Sequence, residues 1–400
     1  MELRHPKPVD KAITLTQPLT VARWLWMPLL LFVVTRLGIM LIAYLAGPLI
    51  ADGTAPLYHL RPPSNLLMDA LGSRWDTGFY VSIAEEGYKF TGVPLPSVAF
   101  FPLLPLIMRA LTPLVGDTLA AGLLISNTAL LLAVILFYRL VADSWGEPVA
   151  DRAVWYLLIF PTAFFGAAIY AESLFLLTAI GALYFARRRY WEIAALLGIA
   201  AGMTRLVGVI VIPMLLLEWL QQWRVVKGGK RPFLFTFLAP FSPLVGLGAF
   251  MVYLQLTFGD PLAFVHGAAA WGRVPQSPLI TIAEIVQRPA EGWWSALLAG
   301  HIHLDNWIDF SMVLLFLALG ISLLINKRWS SAAFVLLGTL IPFSSGLLMS
   351  QRRYVWVLFP AFILLAQWGQ RPWLDKIITT LSLLGLALFT ALFVNNYWVG

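Results

Sequence analysis

The sequence predicts an all-α protein that crosses a membrane many times, and three observations carry that prediction. Of 400 residues 60% are hydrophobic and only 12% are charged, with a mean hydropathy of +0.81, whereas a soluble domain carries about 25% charged residues. The apolar residues gather in about eleven runs, near or somewhat short of the ~20 residues that a spanning helix needs. The cations cluster between alternate runs, as the positive-inside bias requires. The net charge of +7 is therefore topogenic and gives no ground for a nucleic-acid partner.

The first run, 24–46, exceeds a signal-peptide apolar region and reads as a retained spanning helix. Residues 47–117, rich in Pro and Gly, form a long loop expected to hold one or two helices lying along the membrane. The runs 118–141, 153–170, 173–186, 193–204, 206–220 and 233–257 make a helical block over 118–257. A second long loop covers 258–306, and the runs 307–325, 331–349, 354–370 and 377–394 complete the chain over 307–400. No internal repeat is visible, so residues 1–400 read as one integral-membrane domain. Gly198 and Gly202 have the spacing that lets two membrane helices approach closely. The 17 Trp, 12 Tyr and 26 Phe suit wide membrane interfaces, where aromatic rings settle at headgroup level.

With the amino terminus (Arg4, Lys7, Lys11, Arg23) inside, the inward loops hold Arg152, the run Arg187 to Arg189, the group Arg224, Lys227, Lys230 and Arg231, the pair Lys327 and Arg328, and then Arg371 and Lys376. That places both long loops and the carboxyl terminus outside. Four arginines break the rule. Arg352 and Arg353 sit in a short outer turn, Arg205 interrupts an apolar hairpin, and Arg36 lies near the middle of the first helix. A cation there costs about 2.5–3.5 kcal/mol on insertion scales, so Arg36 is expected to have a buried partner or a wet cavity. The apolar runs after Glu172 and before Arg205 are too short to cross a full bilayer. Glu172 and Arg205 should therefore lie below the outer surface, where such groups line a cavity or are buried in protein. A polar, outward-opening cavity walled by Glu172, Arg205 and Arg353 is the expectation.

From Ser73 to Glu86 the spacing predicts an amphipathic helix, with Trp75, Phe79 and Ile83 on one face and Gly87 as its stop. Asp76 flanks that stripe. Read from the residues alone, Ser73 and Asp76 fit a capping box, and Asp76 as a general base is the alternative. For Glu172 the open alternatives are a structural pair with Arg36 or Arg205, a contact to sugar hydroxyls, or a metal ligand. Arg205 suits either an ion pair or a phosphate contact, because a guanidinium grips phosphate through two N–H bonds. Arg352 and Arg353 suit either phosphate or outer headgroups. The spacing of His301, His303 and Asp305 allows a metal site, although interface histidines are commoner. Zero cysteine excludes disulfides, thiolate metal sites and a cysteine nucleophile. There is no phosphate loop, no dinucleotide fingerprint, no zinc-protease motif and no serine-hydrolase elbow.

Two stretches resemble a known family. Arg74-Trp75-Asp76, then Ile83-Ala84-Glu85-Glu86-Gly87-Tyr88, then Ala99-Phe100-Phe101-Pro102 resemble, in this order, the PIG-V mannosyltransferases. Tyr170-Ala171-Glu172-Ser173-Leu174-Phe175 resembles a second stretch of that family, and Arg205 matches one of its arginines. The resemblance covers most of residues 20–220, and Asp260, His266, Trp271 and Arg273 follow the family less specifically. It implies a GT-C glycosyltransferase fold with amphipathic helices in the first extracytoplasmic loop. It also implies an inverting transferase that takes a hexose, mannose in the family, from a polyprenyl-phosphate-sugar donor to a lipid or glycan acceptor. Asp76 would be the base, Arg205 and Arg353 or Arg352 the phosphate clamps, and Glu172 a donor-site acid. Arg74, Trp75, Tyr80 and Tyr88 would contact donor or acceptor. The sequence supports no cofactor, although it leaves a divalent metal open.

The eukaryotic members of the family mannosylate the glycosylphosphatidylinositol precursor, which would place such a chain in the endoplasmic reticulum membrane. The brevity of this chain suits a bacterial relative in the cytoplasmic membrane, its site facing outward and its acceptor different. The rival readings are a lipid or solute transporter, which usually shows internal repeats, and a glycan ligase or polymerase that uses pyrophosphate-linked donors.

Overall fold

The computed structural model describes residues 23–51, 53, 66–225, 234–287, 289, 291–301 and 304–399. The cations Arg4, Lys7, Lys11, Lys227, Lys230 and Arg231, together with His303, lie outside the described residues. Among the described residues the regular structure is helical throughout, which bears out the expected all-α polytopic class.

The first spanning helix, α1 (Arg23–Leu49), is followed by three helices of the first loop: α2 (Leu66–Gly72), α3 (Thr77–Glu86) and α4 (Leu103–Val115). Next come α5 (Thr118–Trp145), α6 (Glu147–Ile159), α7 (Glu172–Arg187), α8 (Trp191–Thr204), α9 (Val211–Val225) and α10 (Pro243–Phe258). The second loop carries α11 (Ala263–Ala269), α12 (Pro278–Ile285) and α13 (Trp293–Leu298), and the chain closes with α14 (Leu304–Ile325), α15 (Trp329–Phe343), α16 (Gln351–Trp356), α17 (Pro360–Trp368) and α18 (Pro372–Val394). Among the described residues five helical stretches are long and apolar enough to span: α1, α5, 206–224, α14 and α18. A sixth is possible if α10 and α11, bent by 79°, count as one broken span.

Local chemistry explains the boundaries. The Asp117 carboxylate accepts from the Ala120 N–H at 2.9 Å and starts α5, the side-chain cap that first-turn donors need. Gly116 closes α4 in the left-handed region, at φ 85°. Two expected runs are broken by proline. The run 153–170 stops as a helix at Ile159, because Pro161 forces Phe160 into an extended conformation. The run 354–370 splits into α16 and α17, with Pro360 opening the second helix where its missing N–H costs nothing. The predicted helix from Ser73 begins only at Thr77. Residues 73–76 turn instead, with Trp75 at φ +55°, which removes Trp75 from the stripe shared by Phe79 and Ile83.

The core lies among α5, α6, α7, α15, α16 and α17, where Phe137, Tyr138, Phe175, Phe334, Trp356 and Phe359 are fully buried. Helices α1, α14 and α18 surround it and keep exposed apolar faces, for example Leu37 and Leu41, Leu314, Leu381 and Leu384. In an integral membrane protein such faces meet lipid rather than water. Gly198 and Gly202 do bring α8 against α10: a Cβ at Gly198 would meet the Ser242 side chain, and one at Gly202 the Pro243 backbone.

The bundle has two chemically distinct ends. At one, Arg23 pairs with Asp151 at 2.7 Å, Arg188 with Asp143 at 2.7 Å and Arg187 with Glu218 at 3.4 Å, while Arg328 stacks on Trp145. These cations come from the loops assigned to a common side. At the other end the first loop, the start of α7, the end of α8, α16 and the tail after α18 converge.

Candidate active site

Four charged side chains, far apart in sequence, form one connected cluster at that second end. Arg353 Nη1 donates to Asp76 Oδ2 at 2.7 Å, and Arg353 Nε lies 3.5 Å from Glu172 Oε1. Arg205 Nη1 donates to the same Glu172 oxygen at 2.7 Å. The elements explain why the groups meet. Helices α7 and α8, 16 and 14 residues long, rise only about 24 and 21 Å and fall short of a ~30 Å hydrocarbon layer. The start of α7 and the end of α8 therefore face each other below one end of the bundle. Glu172 opens α7, where the helix dipole favours a carboxylate. Arg205 follows α8 in an extended conformation at φ −161°.

Asp76 is held from three sides. Its backbone N–H donates to the Tyr170 hydroxyl at 3.2 Å, and the Thr77 hydroxyl reaches the Ile169 carbonyl at 3.5 Å. Trp75 packs edge-on against Trp398, centroids 4.9 Å apart. The capping-box alternative does not hold. Asp76 makes no side-chain cap, and the Ser73 hydroxyl donates back to the Asp69 carbonyl at 2.7 Å. Only Oδ2 of Asp76 is taken by Arg353, and the side chain keeps 19% of its exposure.

Arg353 is buried among four rings, those of Phe165, Tyr170, Tyr354 and Trp398, at 5.2–5.4 Å from guanidinium carbon to ring centre. A desolvated guanidinium gains most from ring faces in such surroundings. Arg352, its neighbour, goes the other way. Its Nε and its backbone N–H both reach Asp309 Oδ1, at 3.0 and 2.8 Å, and Nη2 reaches Asp305 at 2.8 Å. With 3% side-chain exposure it anchors α16 to α14 and is not part of the cluster. The expectation that it clamps phosphate is corrected on that ground.

The remaining expected residues divide. Tyr80 is buried beside the cluster, its ring edge-on to Phe100 at 5.3 Å. Burial and the nearby Glu172 and Asp76 push its phenol up, so it stays a protonated donor. Arg74 Nε donates to the Val394 carbonyl at 3.0 Å and ties the first loop to the end of α18. The Tyr88 hydroxyl donates to the Phe100 carbonyl at 2.9 Å. Tyr88 also lines an apolar cavity of about 180 Å³ between Ile83, Pro105, Met203, Phe250 and Tyr253. Glu172, Arg205 and Arg353 do not line it; expected to wall a polar cavity, those three close on one another instead. Asp260 and His266 pair with each other at 2.6 Å, and the bond from His266 holds the Asp260 carboxyl below its ordinary value.

Among the described residues Arg36 finds no buried partner. It is buried, its three guanidinium nitrogens have no hydrogen-bond partner there, and Phe32 stacks on it at 5.5 Å. Among the described residues no three ligating side chains gather in a way that would hold a metal. Tyr170, Tyr354, Trp398 and Arg273 are site residues that sequence reasoning did not select. The first two sit inside motifs read for their charged neighbours. Trp398 arrives from the tail, where no local pattern marks it, and Arg273 from the second loop, where the family resemblance touched it without giving it a role.

Comparison with known proteins adds the family. The profile described as Mannosyltransferase (PIG-V) matches residues 31–271. No curated protein matches the sequence. Among solved structures the chain is similar to the Archaeoglobus fulgidus oligosaccharyltransferase tethered with an acceptor peptide containing the NVT sequon, with TM-score 0.43 and 13% identity over 93% of this chain and 55% of that one. It is also similar to the apo form of that enzyme, with TM-score 0.41, 15% identity, and 94% and 56% covered. The complex with an inhibitory peptide and a dolichol-phosphate gives TM-score 0.40 and 15% identity over the same shares, 94% and 56%. The chain thus spans just over half the length of these structures.

Proposed function

This chain belongs to the mannosyltransferase (PIG-V) family, and from that premise we propose that it moves mannose from a polyprenyl-phosphate donor to an extracytoplasmic lipid or glycan acceptor, with inversion at the sugar. That it is a membrane-embedded glycosyltransferase follows from the family; donor, acceptor and stereochemistry are the proposal. The observation that carries it is the Asp76–Arg353 contact of 2.7 Å. It sets a partly exposed carboxylate from the first loop directly beside a guanidinium suited to a phosphate.

In the proposed step an acceptor hydroxyl attacks the sugar C1, the C1–O bond to phosphate breaks, and the electron pair leaves with the polyprenyl phosphate. The hydroxyl proton passes to Asp76 at Oδ1, the oxygen that Arg353 leaves open. General base catalysis of this kind contributes about 10²–10⁴-fold. Stabilising the leaving phosphate supplies more, and that falls to Arg353 and Arg205. Both are oriented by Glu172 through Oε1, which leaves Oε2 to accept from a donor hydroxyl. Tyr80 offers its phenol proton beside them. The positive-inside bias supports an outward orientation of this end of the bundle, in the cytoplasmic membrane of a bacterium or facing the lumen in the endoplasmic reticulum.

Purified protein incubated with labelled polyprenyl-phosphate-mannose and membrane lipids tests the reading. Label moving to a lipid or glycan, with release of polyprenyl phosphate, supports it. Turnover only with a nucleotide-linked or pyrophosphate-linked donor rejects it.

A further inference from the structure

The charges of the cluster do not balance, and the excess has an address. Around the Tyr354 ring stand three guanidinium groups: Arg205 at 4.9 Å, Arg273 at 5.2 Å and Arg353 at 5.2 Å. Two carboxylates, Asp76 and Glu172, answer them, so the group carries 3 − 2 = +1. Arg205 and Arg353 are the ones neutralised. Arg273 binds neutral oxygens: Ser345 Oγ at 2.9 Å, the Tyr354 hydroxyl at 2.7 Å and the Met349 carbonyl at 3.4 Å. Among the described residues no carboxylate lies within salt-bridge distance of it.

Arg273 is also deliberately placed. It sits in the second loop, and that loop is pinned to the first. The Trp271 ring meets Phe79 at 4.9 Å and Phe100 at 5.7 Å, and its indole N–H reaches the Pro96 carbonyl at 3.4 Å. A Cβ at Gly267 would strike Val98. On the other flank the Gln276 N–H donates to the Ser344 carbonyl at 3.0 Å. The Tyr354 hydroxyl accepts from Arg273 at 2.7 Å and from Arg353 at 3.4 Å, and among the described residues no acceptor takes its own proton. An unneutralised guanidinium, a spare phenol proton and two further arginines thus share one ring. A phosphate monoanion is the chemical complement of such a group, since it cancels the excess charge and accepts from every one of these donors.

We propose that Arg273 is a third arginine binding the phosphate of the lipid-linked donor, beside Arg205 and Arg353, and that Tyr354 is the positioning residue that holds the three as one anion cradle. The proposal rests on the polyprenyl-phosphate reading above.

The test separates the two. Binding of undecaprenyl phosphate and of the uncharged undecaprenol is compared in mixed micelles, by native mass spectrometry, for wild type, Arg273→Gln, Tyr354→Phe and Asp76→Asn, with thermal melting of each as the folding control. Wild type and Asp76→Asn are expected to prefer the phosphate. Arg273→Gln should lose at least about tenfold of that preference, the scale of one charged hydrogen bond, with binding of the alcohol unchanged. Tyr354→Phe keeps the ring but removes the acceptor, so a smaller loss in the same direction is expected. In turnover both variants raise the donor KM and leave the acceptor KM unchanged. Wild type without a phosphate preference overturns the donor reading and this proposal with it. Wild type with the preference, and both variants retaining it, overturns the role of Arg273 alone. If Arg273→Gln fails to fold, Tyr354→Phe decides.

Discussion

Replacing Arg352 with Met separates a structural role from a chemical one. Arg352 and Asp309 are both buried, at 2% exposure each, and are joined by contacts of 2.8 and 3.0 Å to one oxygen and 3.4 Å to the other. Removing the guanidinium leaves Asp309 with the Arg352 backbone N–H alone. Breaking a buried pair by deleting one partner costs about 3–5 kcal/mol, whereas replacing both by apolar groups is often neutral. Arg352→Met is therefore expected to melt well below wild type in detergent, and Arg352→Met with Asp309→Leu to recover most of the difference. Activity is the sharper readout. Helix α16 carries Arg352 and Arg353 side by side, so loosening it moves Arg353 away from Asp76. If Arg352 only anchors the helix, the double variant recovers activity along with stability. Recovered stability without activity would show that Arg352 touches substrate and would refute the argument, as would a single variant as stable as wild type.

Three further outcomes follow from the packing. Arg36→Met should leave stability unchanged or raise it, because it removes a buried cation whose nitrogens bind nothing among the described residues and whose burial costs about 2.5–3.5 kcal/mol; a shorter half-life in detergent would reveal a partner. Gly202→Ala should destabilise by about 1–3 kcal/mol, since its Cβ would collide with the Pro243 backbone, and a melting temperature equal to wild type contradicts that. Cysteines introduced singly at Arg189 and Tyr397 of this cysteine-free chain should react with an impermeant thiol reagent from opposite sides of the membrane. Reaction from the same side overturns the topology.

Much of this architecture was legible in the sequence because hydrophobic run length and charge sign act locally. The short hairpins after Glu172 and before Arg205 announced groups at depth, and those groups do meet. Proline overrode hydropathy at Pro161 and Pro360, where apolar composition persists but the helix cannot. The start of α3 was misplaced because the turn at Trp75 depends on Trp398 and on the tie from Arg74 to Val394, contacts made hundreds of residues away. Arg352 and Arg353 looked alike in one dimension. Helical geometry turns adjacent side chains about 100° apart, so one faces Asp309 and the other Asp76. The resemblance touched Arg273 without a role and passed over Tyr354, since their roles arise only when the second loop docks on the first.

In the proposed step the Asp76 carboxylate takes the acceptor proton. Asp76→Asn is nearly isosteric and keeps an oxygen for Arg353, so it alters basicity while disturbing little else. Transfer from labelled polyprenyl-phosphate-mannose is the measurement, made on protein whose melting profile matches wild type. A loss of at least about 10²-fold, the lower end of what a general base contributes, is the predicted result. Turnover close to wild type in a correctly folded Asn variant would contradict the account.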